Sequence, residues 1–271
     1  MMKDLELYKD RLFMLKQDLG RGLISQDIYD KLAGEFFIAL RLNGYEPFKV
    51  KSFHERLVDF ILFKYPKSIF DNAIFIILSF FIYLFGFLVG SLRPLTLILN
   101  MNNTVSNQYS SFVLFIQILM NNLRVQSISF VLSILADVPT VFTIFVNGFI
   151  LGLVYSYSSY TFLDFWSLIL PHGVLELTAM ITSFGASLGF GYRFLKSFSQ
   201  YGSYEALRKA ASTALNVVLG GSILLFFAAF IEAYFTPSHH IDSVNKLIFS
   251  LIMLMIIIFY LTYSWLKIRR A

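Results

Sequence analysis

The feature that most constrains this chain is a run of twenty residues, AIFIILSFFIYLFGFLVGSL at 73–92, without a single charge. A helix rises 1.5 Å per residue, so about 20 apolar residues cross the roughly 30 Å hydrocarbon of a bilayer. A helix of a soluble domain shows an apolar stripe, whereas this run is apolar all round. Comparable stretches recur near 112–135, 139–157, 165–192, 212–234 and 247–266. The fold class expected is therefore all-α: a polytopic membrane helical bundle of about six transmembrane helices surrounded by membrane lipids. The chain is 57% hydrophobic and only 14% charged, which leaves too little polar surface for a soluble protein of this size. Gln117, Asn121, Asn122 and Arg124 interrupt the second stretch, and five spans is the competing count if it lies in the interface.

The region before the first span carries charges throughout and lacks the apolar core and small-residue cleavage site of a secretion signal. It reads as a small helical module, residues 1–68, ahead of a transmembrane domain at 69–271. Leucines at helical spacing lead to Gly20 and Gly22, which stop one helix. Ser25 caps the next, with Asp27 in its first turn. A hairpin of this size has little core of its own, so it is expected to pack on a partner, on another copy or on the membrane. Asp137 and Pro139 predict a tight turn with the aspartate capping the following helix. The segment at 193–211 alternates aromatic and charged residues and suits either an interfacial helix or a solvated linker. Asn102-Asn103-Thr104 matches the glycosylation acceptor pattern.

Lysine and arginine are retained on the cytoplasmic side of membranes. With six spans and the N-terminus inside, 19 of the 22 basic residues fall on that side, leaving Arg93 and Lys246 outside and Arg124 in the second span. An odd number of spans would export Lys267, Arg269 and Arg270. The asymmetry predicts a multi-pass protein of the cell membrane with both termini cytoplasmic. The net charge of +5 reads as a topology signal, with no basic stripe for nucleic acid.

Ionisable groups within spans cost a few kcal/mol each and should face the bundle or an aqueous cavity. An intramembrane polar cluster is expected from Asn121, Asn122, Arg124, Asn147, His172 and Glu176. His172 and Glu176 lie four residues apart, on one helix face. Asp137 and Glu232 fall near span ends, where hydration accounts for them. Glu176 is expected to contact Arg124 or Asn147, as a structural pair or as part of a pathway. Gly148 with Gly152, and Gly185 with Gly189, form two GxxxG pairs that would bring spans three and four together, and Gly173 is a further candidate for close packing. Cysteine is absent, which excludes disulfides, thiolate catalysis and thiolate-ligated metals. His172 and Glu176 alone are too few for a metal site, and His239, His240 and Asp242 are likewise too few, so neither metal nor cofactor is expected. The chain has no serine elbow, phosphate-binding loop or Walker motif, and no enzymatic activity is expected.

Two resemblances follow from these residues. The turn LIS followed by an aromatic and a leucine in the N-terminal hairpin resembles the SHOCT motif, a small helical element associated with protein association. The succession ILMNNLRVQSISFVLSILADVPTVFTIFVNGFILG and LPHGVLELTAMITSFGASLGFGYRF resembles the stage II sporulation protein M family. Its motif positions here are Asn121, Asn122, Asn147, Gly148, Pro171, His172, Gly173 and Glu176. In spore-forming bacteria the named member works with cell-wall hydrolases at the septal membrane. The resemblance implies a membrane scaffold or recruiting protein, the alternative being a channel or transporter for a small solute or ion through the polar cluster.

Overall fold

The computed structural model describes residues 2–21, 23–42, 52–92, 110–135, 137–198, 204–238 and 240–270. All regular structure among them is helical. The Asn102-Asn103-Thr104 tripeptide, Gly22, Arg93 and His239 lie outside the described residues. The chain divides into two compact units, Met1–Arg56 and Leu57–Ala271.

The first unit is the expected hairpin of α1 (Met2–Gly20) and α2 (Gln26–Leu42). The Leu23 amide donates back to the Asp18 carbonyl at 2.9 Å, closing α1 with the wide turn of a Schellman motif. The Ser25 hydroxyl accepts from the Ile28 amide at 3.5 Å, as the sequence predicts for its cap. A reciprocal capping box opens α3 (Phe53–Asp59): the Glu55 amide donates to Ser52 Oγ at 3.2 Å, and the Ser52 amide donates to Glu55 Oε2 at 2.8 Å.

The second unit begins earlier than the boundary expected at 68. A π-helical turn, Phe60–Lys64, and α4 (Tyr65–Asp71) strap across the bundle, because Tyr65 and Ile69 bury themselves with Ala186, Ala214 and Val217. A Cβ on Gly220 would lie 2.1 Å from the Tyr65 ring, so only glycine leaves room for it. Five further helices complete the main frame: α5 (Ala73–Ser91), α6 (Ser111–Leu132), α7 (Val138–Tyr157), α8 (Phe162–Ser197) and α9 (Tyr204–Phe230). A π-helical turn, Ile231–Phe235, prolongs α9, and α10 (Ser243–Arg270) follows.

Among the described residues, five helices are long and apolar enough to cross a membrane: α5, α7, α8, α9 with its π turn, and α10. The 22-residue α6 falls outside that set because its amides, its arginine and its serines dilute its apolar content. It nevertheless runs alongside α8 in the same direction, with Asn122 beside Glu176, Gln126 bonded to Ser183, and Phe130 stacked on Phe190 at 5.5 Å.

The centre of the bundle is α8, with 56% of its apolar window buried against 17% for α5 and 11% for α10. Its 36 residues make it about 54 Å long, more than a bilayer's hydrocarbon requires. Pro171 lies inside it without ending it, so the segment neither starts at the proline nor re-enters there. The segment at 193–211, which suits either an interfacial helix or a solvated linker, in part lengthens its neighbours: α8 continues to Ser197 and α9 starts at Tyr204.

The glycine pairs choose a different partner from the one expected. A Cβ on Gly148 would lie 2.1 Å from the Tyr83 carbonyl oxygen, and one on Gly152 would lie 2.1 Å from that of Phe87. Gly86 and Gly90 return the contact: a Cβ on them would lie 2.3 Å from the Phe145 and 2.2 Å from the Phe149 carbonyl oxygen. The GxxxG of α7 thus interlocks with a second GxxxG on α5 rather than with α8. Gly185 and Gly189 also face α5 and its approach, against Ile76, Asn72 and Phe75. At this end Arg193 reaches from α8 to Asn72 Oδ1 at 2.7 Å and to the Asp71 carbonyl at 3.2 Å.

The turn from α6 to α7 is held by Asp137, the one non-glycine residue with positive φ among the described residues, at 59°. Its side chain does not cap α7, contrary to the expectation; it turns toward Gly191, where a Cβ would lie 2.0 Å from Asp137 Oδ1. Burial raises its carboxyl to about 7. The folded state therefore prefers the protonated form. That contribution is complete below the ordinary value near 3.8 and is lost as pH rises through about 7. In detergent, the melting temperature of the wild type is expected to fall between pH 5 and pH 8, and that of Asp137→Asn to fall less. Equal slopes would remove this role from Asp137.

Candidate functional site

Of the six residues expected to form the polar cluster, the structure gathers three, His172, Glu176 and Asn122, and adds others. His172 and Glu176 project from successive turns of α8. Glu232 arrives from the π-helical end of α9, where the extra residue per turn shifts its register relative to an α-helix. One ligand-type atom from each of the three lies within 4.8 Å of the others. His172 is buried, with Nε2 3.8 Å from Glu232 Oε2 and Nδ1 3.2 Å from Thr236 Oγ1. Thr236 Oγ1 is in turn 3.3 Å from the Ile231 carbonyl, to which its one proton goes. The hydroxyl then accepts from His172 Nδ1–H, and Nε2 presents a bare lone pair to the carboxylates. Lys246 of α10 is buried and donates to the Thr236 carbonyl at 2.7 Å. Asn122 of α6 lies beside Glu176, and α5 brings Tyr83 into electrostatic range of the same carboxylate.

One turn further along, Gln126 joins three helices. Its Nε2 donates to Ser183 Oγ at 2.6 Å and to the Val218 carbonyl at 3.1 Å, and its Oε1 accepts from Ser222 at 3.0 Å. Gly221 makes room for it, since a Cβ there would lie 2.5 Å from Gln126 Nε2.

The remaining candidates lie elsewhere. Arg124 is exposed on α6, so the expected pairing of Glu176 with Arg124 is not formed; Asn121 is also exposed, and its Nδ2 donates to Asn122 Oδ1 at 3.4 Å. Asn147 donates to the Thr143 carbonyl of its own helix at 2.7 Å, which spends its amide locally. Among the described residues no backbone of a neighbouring helix packs on Gly173; a Cβ there would meet Ile169 Cγ2 at 3.4 Å. Sequence reasoning passed over Gln126, Thr236 and Lys246, and assigned Glu232 to a hydrated span end. The signal for Gln126 was available: it follows Asn122 at i+4 on an otherwise apolar face.

The stage II sporulation protein M family matches residues 72–237, from the start of α5 to just past the π turn that carries Glu232. An uncharacterized protein of Methanocaldococcus jannaschii is 29% identical over 170 residues, which make up 60% of this chain and 93% of that relative. No solved structure matches the chain. The family match takes in more than half of the sequence and every residue of the His172 cluster except Lys246, and the protein therefore belongs to the stage II sporulation protein M family.

Proposed function

We propose that this protein is a non-enzymatic scaffold of the cell membrane, which holds a partner protein or a second copy of itself through its N-terminal hairpin. The observation that carries this reading is the apolar surface of that unit: Phe13 is 63% and Leu23 68% exposed, with Met14, Ile28 and Ile38 also outside. Apolar side chains in such number on a hairpin this small fit a docking face. The bundle suits an anchoring role, because Gln126 spends both ends of its amide on fixing α6 to α8 and α9. Its lipid-facing exterior carries Ile77, Phe81, Phe85, Leu251 and Phe259, all exposed.

A photo-crosslinking residue in place of Phe13 or Ile28, in native membranes, is expected to give a discrete adduct that the same residue at Glu35 does not. Equal labelling at all three positions would overturn the scaffold reading. Reporter fusions are expected to place both termini in the cytoplasm, as the lysine and arginine asymmetry requires; an external C-terminus would contradict an even number of spans.

One observation favours the alternative of conduction: polar groups of Glu232, His172, Glu176, Asn122, Gln126 and Ser183 follow one another from the end of α9 along α6 and α8. Liposome flux in the wild type that His172→Ala and Glu176→Gln abolish, both variants remaining folded, would favour it over the scaffold.

A further inference from the structure

We infer that His172, Glu176 and Glu232 form a binding site for one divalent first-row transition cation, pinning α8 to the end of α9. This inference does not depend on the scaffold reading. It rests on three features of the geometry. The first is the donor set. One imidazole and two carboxylates on two helices have ligand atoms within 4.8 Å, and the His172 Nε2 to Glu232 Oε2 distance is already 3.8 Å. Ligands at 2.0–2.1 Å from a tetrahedral ion lie about 3.4 Å apart, so small side-chain rotations close the set.

The second feature is the orientation of His172. More than nine-tenths of this residue is buried, and its Nδ1–H is spent on Thr236. A hydrogen bond from the distal nitrogen fixes the tautomer and aims the other nitrogen in metal sites generally. Here that other nitrogen faces the Glu232 carboxylate, with Glu176 completing the set, an arrangement in which lone pairs oppose lone pairs unless a cation or a proton stands between them.

The third feature is charge. Two carboxylates this close within a helix bundle repel strongly, and the groups facing them offset only part of it. Lys246 is engaged one group further out, at the Thr236 carbonyl; Tyr83 contributes a neutral hydroxyl; Asn122 contributes an amide; and Arg124 is exposed on the other face of α6. A divalent cation neutralises the pair, whereas a shared proton neutralises half of it. The mixture of imidazole nitrogen and carboxylate oxygen suits Zn²⁺ or Mn²⁺ over Mg²⁺ or Ca²⁺, which prefer oxygen alone.

The test uses the full chain in detergent, stripped with a chelator and then incubated with Zn²⁺ or Mn²⁺ in the presence of excess Mg²⁺. About one transition-metal ion per chain is expected to remain after desalting. Glu232→Gln and His172→Ala are expected to lose it. Thr236→Val, which keeps all three ligands, is expected to weaken binding by about 10–100-fold. X-ray absorption of the Zn²⁺-loaded wild type supplies a check that needs no variant, with one imidazole and two carboxylates expected around the ion. The inference is overturned if the wild type retains no more metal than Glu232→Gln, if binding survives both ligand substitutions undiminished, or if the absorption spectrum shows no imidazole.

Discussion

Gly148→Ala is expected to destabilise the bundle by about 1–3 kcal/mol or more, although it adds a single methyl group. The new carbon would sit 2.1 Å from the Tyr83 carbonyl oxygen and 2.9 Å from its carbon. Both are backbone atoms, which cannot rotate away as the tip of a side chain can. Relief requires α5 and α7 to separate, and separation also loosens the reciprocal contacts at Gly86, Gly90 and Gly152. Gly148→Val is accordingly expected to give no folded protein. Gly173→Ala is the control: its methyl would meet Ile169 Cγ2 at 3.4 Å, and the change is expected to be neutral or to stabilise by up to about 1 kcal/mol, since alanine favours a helix interior over glycine. Thermal unfolding in detergent, followed by intrinsic fluorescence, reads all three. A Gly148→Ala melting temperature equal to that of Gly173→Ala would mean that the α5 and α7 contact is not tight.

The second large effect is expected at Gln126. Gln126→Ala removes three interhelical hydrogen bonds and leaves a polar-lined cavity where a fully buried side chain stood. Hydrogen bonds between membrane helices average well under 1 kcal/mol each, so the cavity and the stranded hydroxyl of Ser183 contribute much of the total, Ser222 keeping its bond to the Val218 carbonyl. Together they give about 2–4 kcal/mol. Gly221→Ala is expected to damage the same network from the opposite side, because its methyl would take the space of Gln126 Nε2. The double variant should then cost clearly less than the sum of the two. Additive losses would show that the two residues act separately.

Much of the architecture was legible in the sequence. Apolar runs of bilayer length fix the helices wherever the composition is unambiguous, and Ser25 and Gly20 mark the ends of the first hairpin through local backbone chemistry. The second span was harder to read, because asparagine, glutamine and arginine on α6 look the same in a sequence whether they face the bundle or the outside. In the structure Asn122 and Gln126 face in, while Asn121 and Arg124 are exposed. The difference lies in rotation about one helix axis, which the neighbours of α6 set. The continuous path of α8 through Pro171 follows from packing too, since its surrounding helices hold it where the proline alone would weaken it.

By itself, the sequence determined the class of solvent, the helices, and the shared face of His172 and Glu176, because these depend on hydrophobicity and on the 3.6-residue period within one segment. Only the tertiary structure decided the partners. Gly148 and Gly152 met a matching pair on α5 rather than the glycines of α8. Glu232, Thr236 and Lys246 came to His172 from two other elements, through the changed register of a π turn and the placement of α10. The contacts of His172 with Glu232 and Thr236 join residues 60 and 64 positions apart, and no local propensity encodes which helix faces will meet across that separation.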